Sequence, residues 1–110
     1  MGLAVTLDAE PDDDTVTFTV TVTNTGATPR TLTFPTGQLA DVAVTDDDTT
    51  VWRWSEGRMF TQAIREETID PGDSLAMTAT WERPAAGTYT VEATIEAANT
   101  DLGTETTVTV

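Results

Sequence analysis

The chain is 110 residues long, the size of one ordinary domain, and sets nineteen acids against five arginines and no lysine, for a formal charge of −14. Such a balance repels nucleic acid and anionic membranes alike. With no cysteine, histidine or lysine, disulfides, thiolate metal sites, imidazole bases and Schiff-base amines are excluded, and most enzyme classes with them.

Leu3, Val5 and Leu7 alternate as a half-buried strand does. The opening Met1-Gly2-Leu3-Ala4-Val5-Thr6 loosely fits a myristoylation pattern, but the alternation accounts for the same residues without a lipid. Glu10-Pro11-Asp12-Asp13-Asp14 breaks the strand, since proline lacks the ladder donor and aspartates favour turns. From Thr15 to Thr23, Val16, Phe18, Val20 and Val22 alternate with threonines, placing four apolar side chains on one sheet face. Asn24-Thr25-Gly26-Ala27 turns the chain into a strand holding Leu32 and Phe34, which Pro35 and Gly37 end. Val42 and Val44 form a short strand stopped by Asp46-Asp47-Asp48.

The next stretch is unlike the rest. Trp52-Arg53-Trp54-Ser55-Glu56-Gly57-Arg58-Met59-Phe60 gathers two of the three tryptophans, two of the five arginines and a phenylalanine, the large amphipathic side chains that anchor protein contacts. Trp52 and Trp54 share one face, Val51 and Arg53 the other. Ser55-Glu56-Gly57 are turn formers, so a hairpin is expected in which the tryptophans lead into a tip and Arg58, Met59 and Phe60 leave it. Either one tryptophan fills the space between sheets or both face a partner, and Phe60 either anchors the loop or joins its contact surface.

Ile64 to Ile69 is extended but irregular, and Pro71-Gly72-Asp73 is a tight turn with proline at its second and glycine at its third position. Leu75, Met77, Ala79 and Trp81 share one side of a strand, and Tyr89, Val91, Ala93 and Ile95 another. Gly87-x-Tyr89 fits a tyrosine corner, in which the phenol reaches back to an upstream backbone group. A loop through Asn99, Asp101 and Gly103 leads to Thr106, Val108 and Val110. The expected fold is therefore all-β, an immunoglobulin-like antiparallel sandwich of seven to nine strands spanning residues 1–110 as one domain, with Phe18, Val20, Val22, Leu75, Met77, Trp81, Tyr89, Val91 and Ile95 buried.

Little chemistry is on offer. Ser55 and Ser74 have no basic partner in sequence and read as turn residues, and carboxylate pairs carry no signal in a chain this acidic. Asp12-Asp13-Asp14 and Asp46-Asp47-Asp48 lack the spacing of a calcium loop and read as solvated turns. No enzyme, metal or cofactor is expected. The absence of a charged-then-apolar leader and of an apolar run near the roughly 18 residues of a membrane span reads as a soluble, cytoplasmic protein. The acid excess suits either a basic partner or hydration in concentrated salt, where the Debye length falls to about 3 Å. Its scatter over the whole chain favours a halophilic cytoplasm.

Several of these blocks recur together in one family. Asn24-Thr25-Gly26, then Thr33-Phe34-Pro35-Thr36-Gly37-Gln38, then Trp52 to Gln62, then Pro71-Gly72-Asp73 with Trp81, and Gly87-Thr88-Tyr89-Thr90-Val91 resemble, in order and spacing, the intracellular proteinase inhibitor (BsuPI) domain family. The resemblance implies an immunoglobulin-like sandwich and, for the type member, inhibition of an intracellular subtilisin-like serine protease. On that basis Trp52, Trp54, Ser55, Glu56, Gly57, Arg58, Met59 and Phe60 are the candidate partner-binding residues, with Met59 or Phe60 the residue for a large apolar specificity pocket and Arg58 and Trp54 flanking it. The rival reading is a non-inhibitory immunoglobulin-like module that lends an edge strand or the same stretch to another protein.

Overall fold

A computed structural model describes residues 2–110; Met1, included in the expected 1–110 domain and in the lipidation pattern, lies outside the described residues. Nine strands run β1 Leu3–Pro11, β2 Thr15–Asn24, β3 Arg30–Phe34, β4 Ala40–Asp46, β5 Thr49–Arg53, β6 Arg65–Ile69, β7 Ser74–Glu82, β8 Thr88–Ile95 and β9 Leu102–Thr109. All pair antiparallel, in a three-stranded sheet β1-β2-β7, a four-stranded sheet β5-β4-β8-β9 and a separate two-stranded leaf β3-β6. No described helix is long and apolar enough to cross a membrane.

The period-two pattern builds the core directly. Val16, Phe18, Val20 and Val22 of β2 are buried, and so are Val42 and Val44 of β4, Tyr89, Val91, Ala93 and Ile95 of β8, and Leu32, Phe34 and Ile69 of the leaf. The alternation reaches one residue further than the apolar run. Asn24 holds the inward phase after Val22 and is fully buried, so its amide needs partners. Its Nδ2 donates to Thr28 O and Ile69 O, each at 2.8 Å, and its Oδ1 accepts from Gly26 N at 2.9 Å. One side chain thus ties the end of β2 to the end of β6. Along the outer edge of the leaf, Asn99 Oδ1 accepts from Thr33 N at 3.0 Å and its Nδ2 donates to Thr31 O at 2.9 Å, completing the edge of β3 as a strand would.

The turns follow their chemistry. Asp47 and Asp48 take φ of 49° and 69°, the pair of left-handed residues a two-residue hairpin needs, and so join β4 to β5. Asp73 N closes onto Asp70 O at 2.9 Å around Pro71-Gly72. Tyr89 Oη donates to Ala85 O at 2.7 Å, as the tyrosine corner requires.

Two expectations about packing need correction. Leu75 and Met77 are half-buried, because β7 is the last strand of its sheet and its inward side chains there have neighbours on one side. The chain also forms a leaf beyond the two expected sheets, because β6, which leads into the Pro71 turn, pairs with β3 instead of with β7 beyond the turn.

Candidate functional site

The tryptophan-rich stretch does not form a hairpin. Trp52 and Arg53 end β5, residues 54–57 make two successive turns, and from Arg58 the chain runs irregularly to β6 with no strand returning beside β5. Glu56 N donates to Arg53 O at 3.1 Å, and Arg58 N to Ser55 O at 3.2 Å. Gly57 is the third residue of that second turn at φ +78°, where an L side chain is strained although a Cβ would meet nothing within 4 Å.

The segment is tied to the core at its upstream end and to the loop after β3 at its downstream end. Trp52 stacks between Phe18 and Trp81, with ring centroids 5.9 and 6.1 Å away, and Trp81 meets Tyr89 edge-on at 5.0 Å. Of the two tryptophans it is Trp52 that fills the space between the sheets. Trp54 N donates to Val42 O at 2.9 Å, extending the β4-β5 ladder by one step. Downstream, Gly37 N donates to Thr61 O at 2.9 Å, and a Cβ on Gly37 would come within 2.6 Å of Thr61 Oγ1. Two of the sequence blocks therefore meet at a close contact, where a side chain at position 37 would have to push the Thr61 hydroxyl aside. This contact also draws the chain toward the β3-β6 leaf, which is why it does not return along β5.

The central tie is Asp41, a buried carboxylate on the outer phase of β4. Its Oδ1 accepts from Val42 N at 2.9 Å and Ser55 N at 3.1 Å, and its Oδ2 from Ser55 Oγ at 2.8 Å and Arg53 Nη1 at 3.1 Å. Ser55 is thus a turn residue held by both its hydroxyl and its amide. Sequence reasoning missed Asp41, although an acid inside Ala40-Asp41-Val42-Ala43-Val44 is the kind of local conflict that marks a special position. Glu96 lies close enough for burial, reinforced by the charge of Asp41 and opposed by Arg53, to raise its pKa above the usual glutamate value.

The apex sorts the expected contact residues. Arg58 is exposed but bound inward, its guanidinium 4.6 Å from the centre of the Trp54 ring and its Nε donating to Trp54 O at 2.8 Å. Phe60 is half-buried, 5.5 Å from the same ring. Glu56 and Gly57 are exposed on the turn. Met59, between the two residues that clasp Trp54, is 97% exposed. Among the described residues no group of three or more acids gathers as a metal site; Asp12–Asp14 lie in the β1-β2 turn, and Asp46 ends β4 with Asp47 and Asp48 in the turn to β5.

Comparison with known proteins places the chain in context. A family model described as intracellular proteinase inhibitor matches residues 3–100. No curated protein matches significantly. Among solved structures, the sporulation control protein Spo0M from Bacillus subtilis is similar at a TM-score of 0.59 and 16% identity, over 100% of this chain and 49% of that one. The CARDB domain of the PF1109 protein from Pyrococcus furiosus, solved with di-metal ions, is similar at a TM-score of 0.53 and 20% identity, over 98% of this chain and 91% of that domain. A β-glucosidase from Erythrobacter marinus gives a TM-score of 0.53 at 14% identity, over 97% of this chain and 15% of the enzyme. This chain spans about half the length of the sporulation protein and a small part of the glucosidase. At these identities the likeness is one of fold.

Proposed function

The chain belongs to the intracellular proteinase inhibitor (BsuPI) family, and we propose that it inhibits a subtilisin-like serine protease by presenting residues 54–60, with Met59 entering the main specificity pocket. The family is one of inhibitors, so the implied partner is a protease and the domain itself needs no catalytic group. The observation that carries the reading is the contrast between Met59 and its neighbours: a fully exposed apolar side chain on a backbone tied at Ser55 by Asp41 and at Thr61 by Gly37. Such a side chain gains from burial in a partner, while a backbone fixed beforehand spares the ordering cost that weakens flexible loops. Phe60, packed on Trp54, suits the role of prop better than that of pocket residue.

The surface supports a setting in concentrated salt. Apart from Asp41, Glu67 and Glu96, every acid is exposed, which suits a hydrated, screened surface and a halophilic cytoplasm. We read residues 1–110 as one domain working there without cofactor or metal. The test is a panel of subtilisin-like proteases from a high-salt cytoplasm, assayed in molar KCl with and without the intact chain. Saturable inhibition of at least one enzyme, with the chain recovered uncut, is expected. If no enzyme is inhibited, or if the 54–60 segment is cleaved as a substrate, the reading fails in favour of a non-inhibitory interaction module.

A further inference from the structure

The strand edges of this fold are not equally protected. β1 and β9 lie against each other, the far side of β3 is occupied by Ala98 and Asn99, β6 is short and carries Arg65, Glu66 and Glu67, and β5 is short and joins β4 through a bulge. β7 has none of these devices. It runs for nine residues as Ser-Leu-Ala-Met-Thr-Ala-Thr-Trp-Glu and pairs only with β2 among the described residues. Its one charge is the terminal Glu82, and it has no lysine or proline and no charge on its inward face. A long regular edge of this kind is a template for another strand.

Space exists beside it. A cleft of about 220 Å³, lined by Glu67, Thr68, Ile69, Asp73, Ser74 and Leu75, stands between β6 and the start of β7. Leu75 on its wall and Met77 further along β7 remain half-buried, while Val20 and Val22 on the neighbouring interior strand are shut from solvent.

We propose that β7 is a dimerisation edge, pairing antiparallel with β7 of a second copy about a two-fold axis at Thr78. The strand is self-complementary in that register. Inward-facing Leu75 falls opposite Trp81 of the second copy and Met77 opposite its Ala79, so apolar residues meet apolar ones. On the outer face Ala76 meets Thr80, Ser74 meets Glu82 and Thr78 meets itself. At each end of the paired strands Asp73 of one copy comes to Arg83 of the other, matching one of the few cations to an acid. The result joins two three-stranded sheets into one of six and leaves neither β7 edge open, an isologous contact that closes on itself. The strong negative charge of each copy opposes the contact in dilute buffer, so salt promotes the dimer.

The chain has no cysteine, so a single introduced thiol reports on the axis. Opposed residues of an antiparallel pair stand about 4.5–5.5 Å apart at Cα, within disulfide range. Sedimentation in molar KCl should show a concentration-dependent dimer that dissociates on dilution into low salt. Thr78→Cys should cross-link rapidly under mild oxidation, while Thr19→Cys, on the same outer face but in the interior strand β2, should not. Thr78→Lys, which sets two ammonium groups side by side at the axis, should raise the dimer dissociation constant about tenfold or more while leaving the monomer's melting temperature unchanged. A chain that stays monomeric at all concentrations in molar KCl overturns the proposal. So does a dimer that Thr78→Lys leaves intact and Thr78→Cys does not trap, or a monomer that takes up an added cationic β-strand peptide on β7 instead of a second copy.

Discussion

Asp41 decides the shape of the segment around Ser55, because four donors converge on one buried carboxylate and three of them belong to residues 53–55. Hydrogen bonds to a charged acceptor contribute more than neutral ones, and unmaking them strands the donors. Asp41→Ala should cost about 2–3 kcal/mol in denaturant unfolding and raise hydrogen exchange at residues 54–60 more than elsewhere. Glu96 gives the opposite sign. Its folded pKa lies above the unfolded value, so the native chain binds this proton more tightly and stability falls as pH rises through the window between the two. Glu96→Gln should therefore raise the melting temperature at neutral pH, with the gain vanishing in acid below the ordinary glutamate range. An equal gain at both pH values would mean that the charge of Glu96 is not what the fold opposes. Asn24 reads by residue type as the start of a turn, but it is the buried last residue of β2, and its partner Ile69 lies far along the chain.

At the scale of elements, most strands could be read from threonine and valine alternation because burial on one face imposes a period of two. What could not be read was where an edge falls or which strand a turn delivers its chain to. Ser55-Glu56-Gly57 has the same turn chemistry whether the chain returns or moves on, and the decision rests with Asp41 and Gly37, contacts distant in sequence. The same limit hid the β3-β6 leaf and the half-exposure of Leu75 and Met77. Local turn chemistry, by contrast, makes a direct prediction at β4-β5. Asp47 and Asp48 both hold left-handed φ, so Asp48→Gly should relieve strain at the second position and stabilise the chain by about 0.5 kcal/mol in thermal unfolding. Trp52→Ala, which opens the stack between Phe18 and Trp81, should cost about 3 kcal/mol or more.

For the whole molecule, nearly all acids lie outside the core, so their mutual repulsion acts on a compact body and relaxes on unfolding. Raising KCl from low to molar concentration should lift the melting temperature by several degrees, and a flat response would remove the support for a halophilic setting. Met59 is the apolar apex of this body, carried on a backbone tied at Ser55 and Thr61. The most direct test of its role measures the inhibition constant and melting temperature of Met59→Ala beside those of the unaltered chain, against a subtilisin-like protease that the chain inhibits in molar KCl. If Met59 fills the pocket, the melting temperature stays unchanged and inhibition weakens by on the order of 2 kcal/mol, about thirtyfold. Undiminished inhibition by a fully folded Met59→Ala chain would contradict that role.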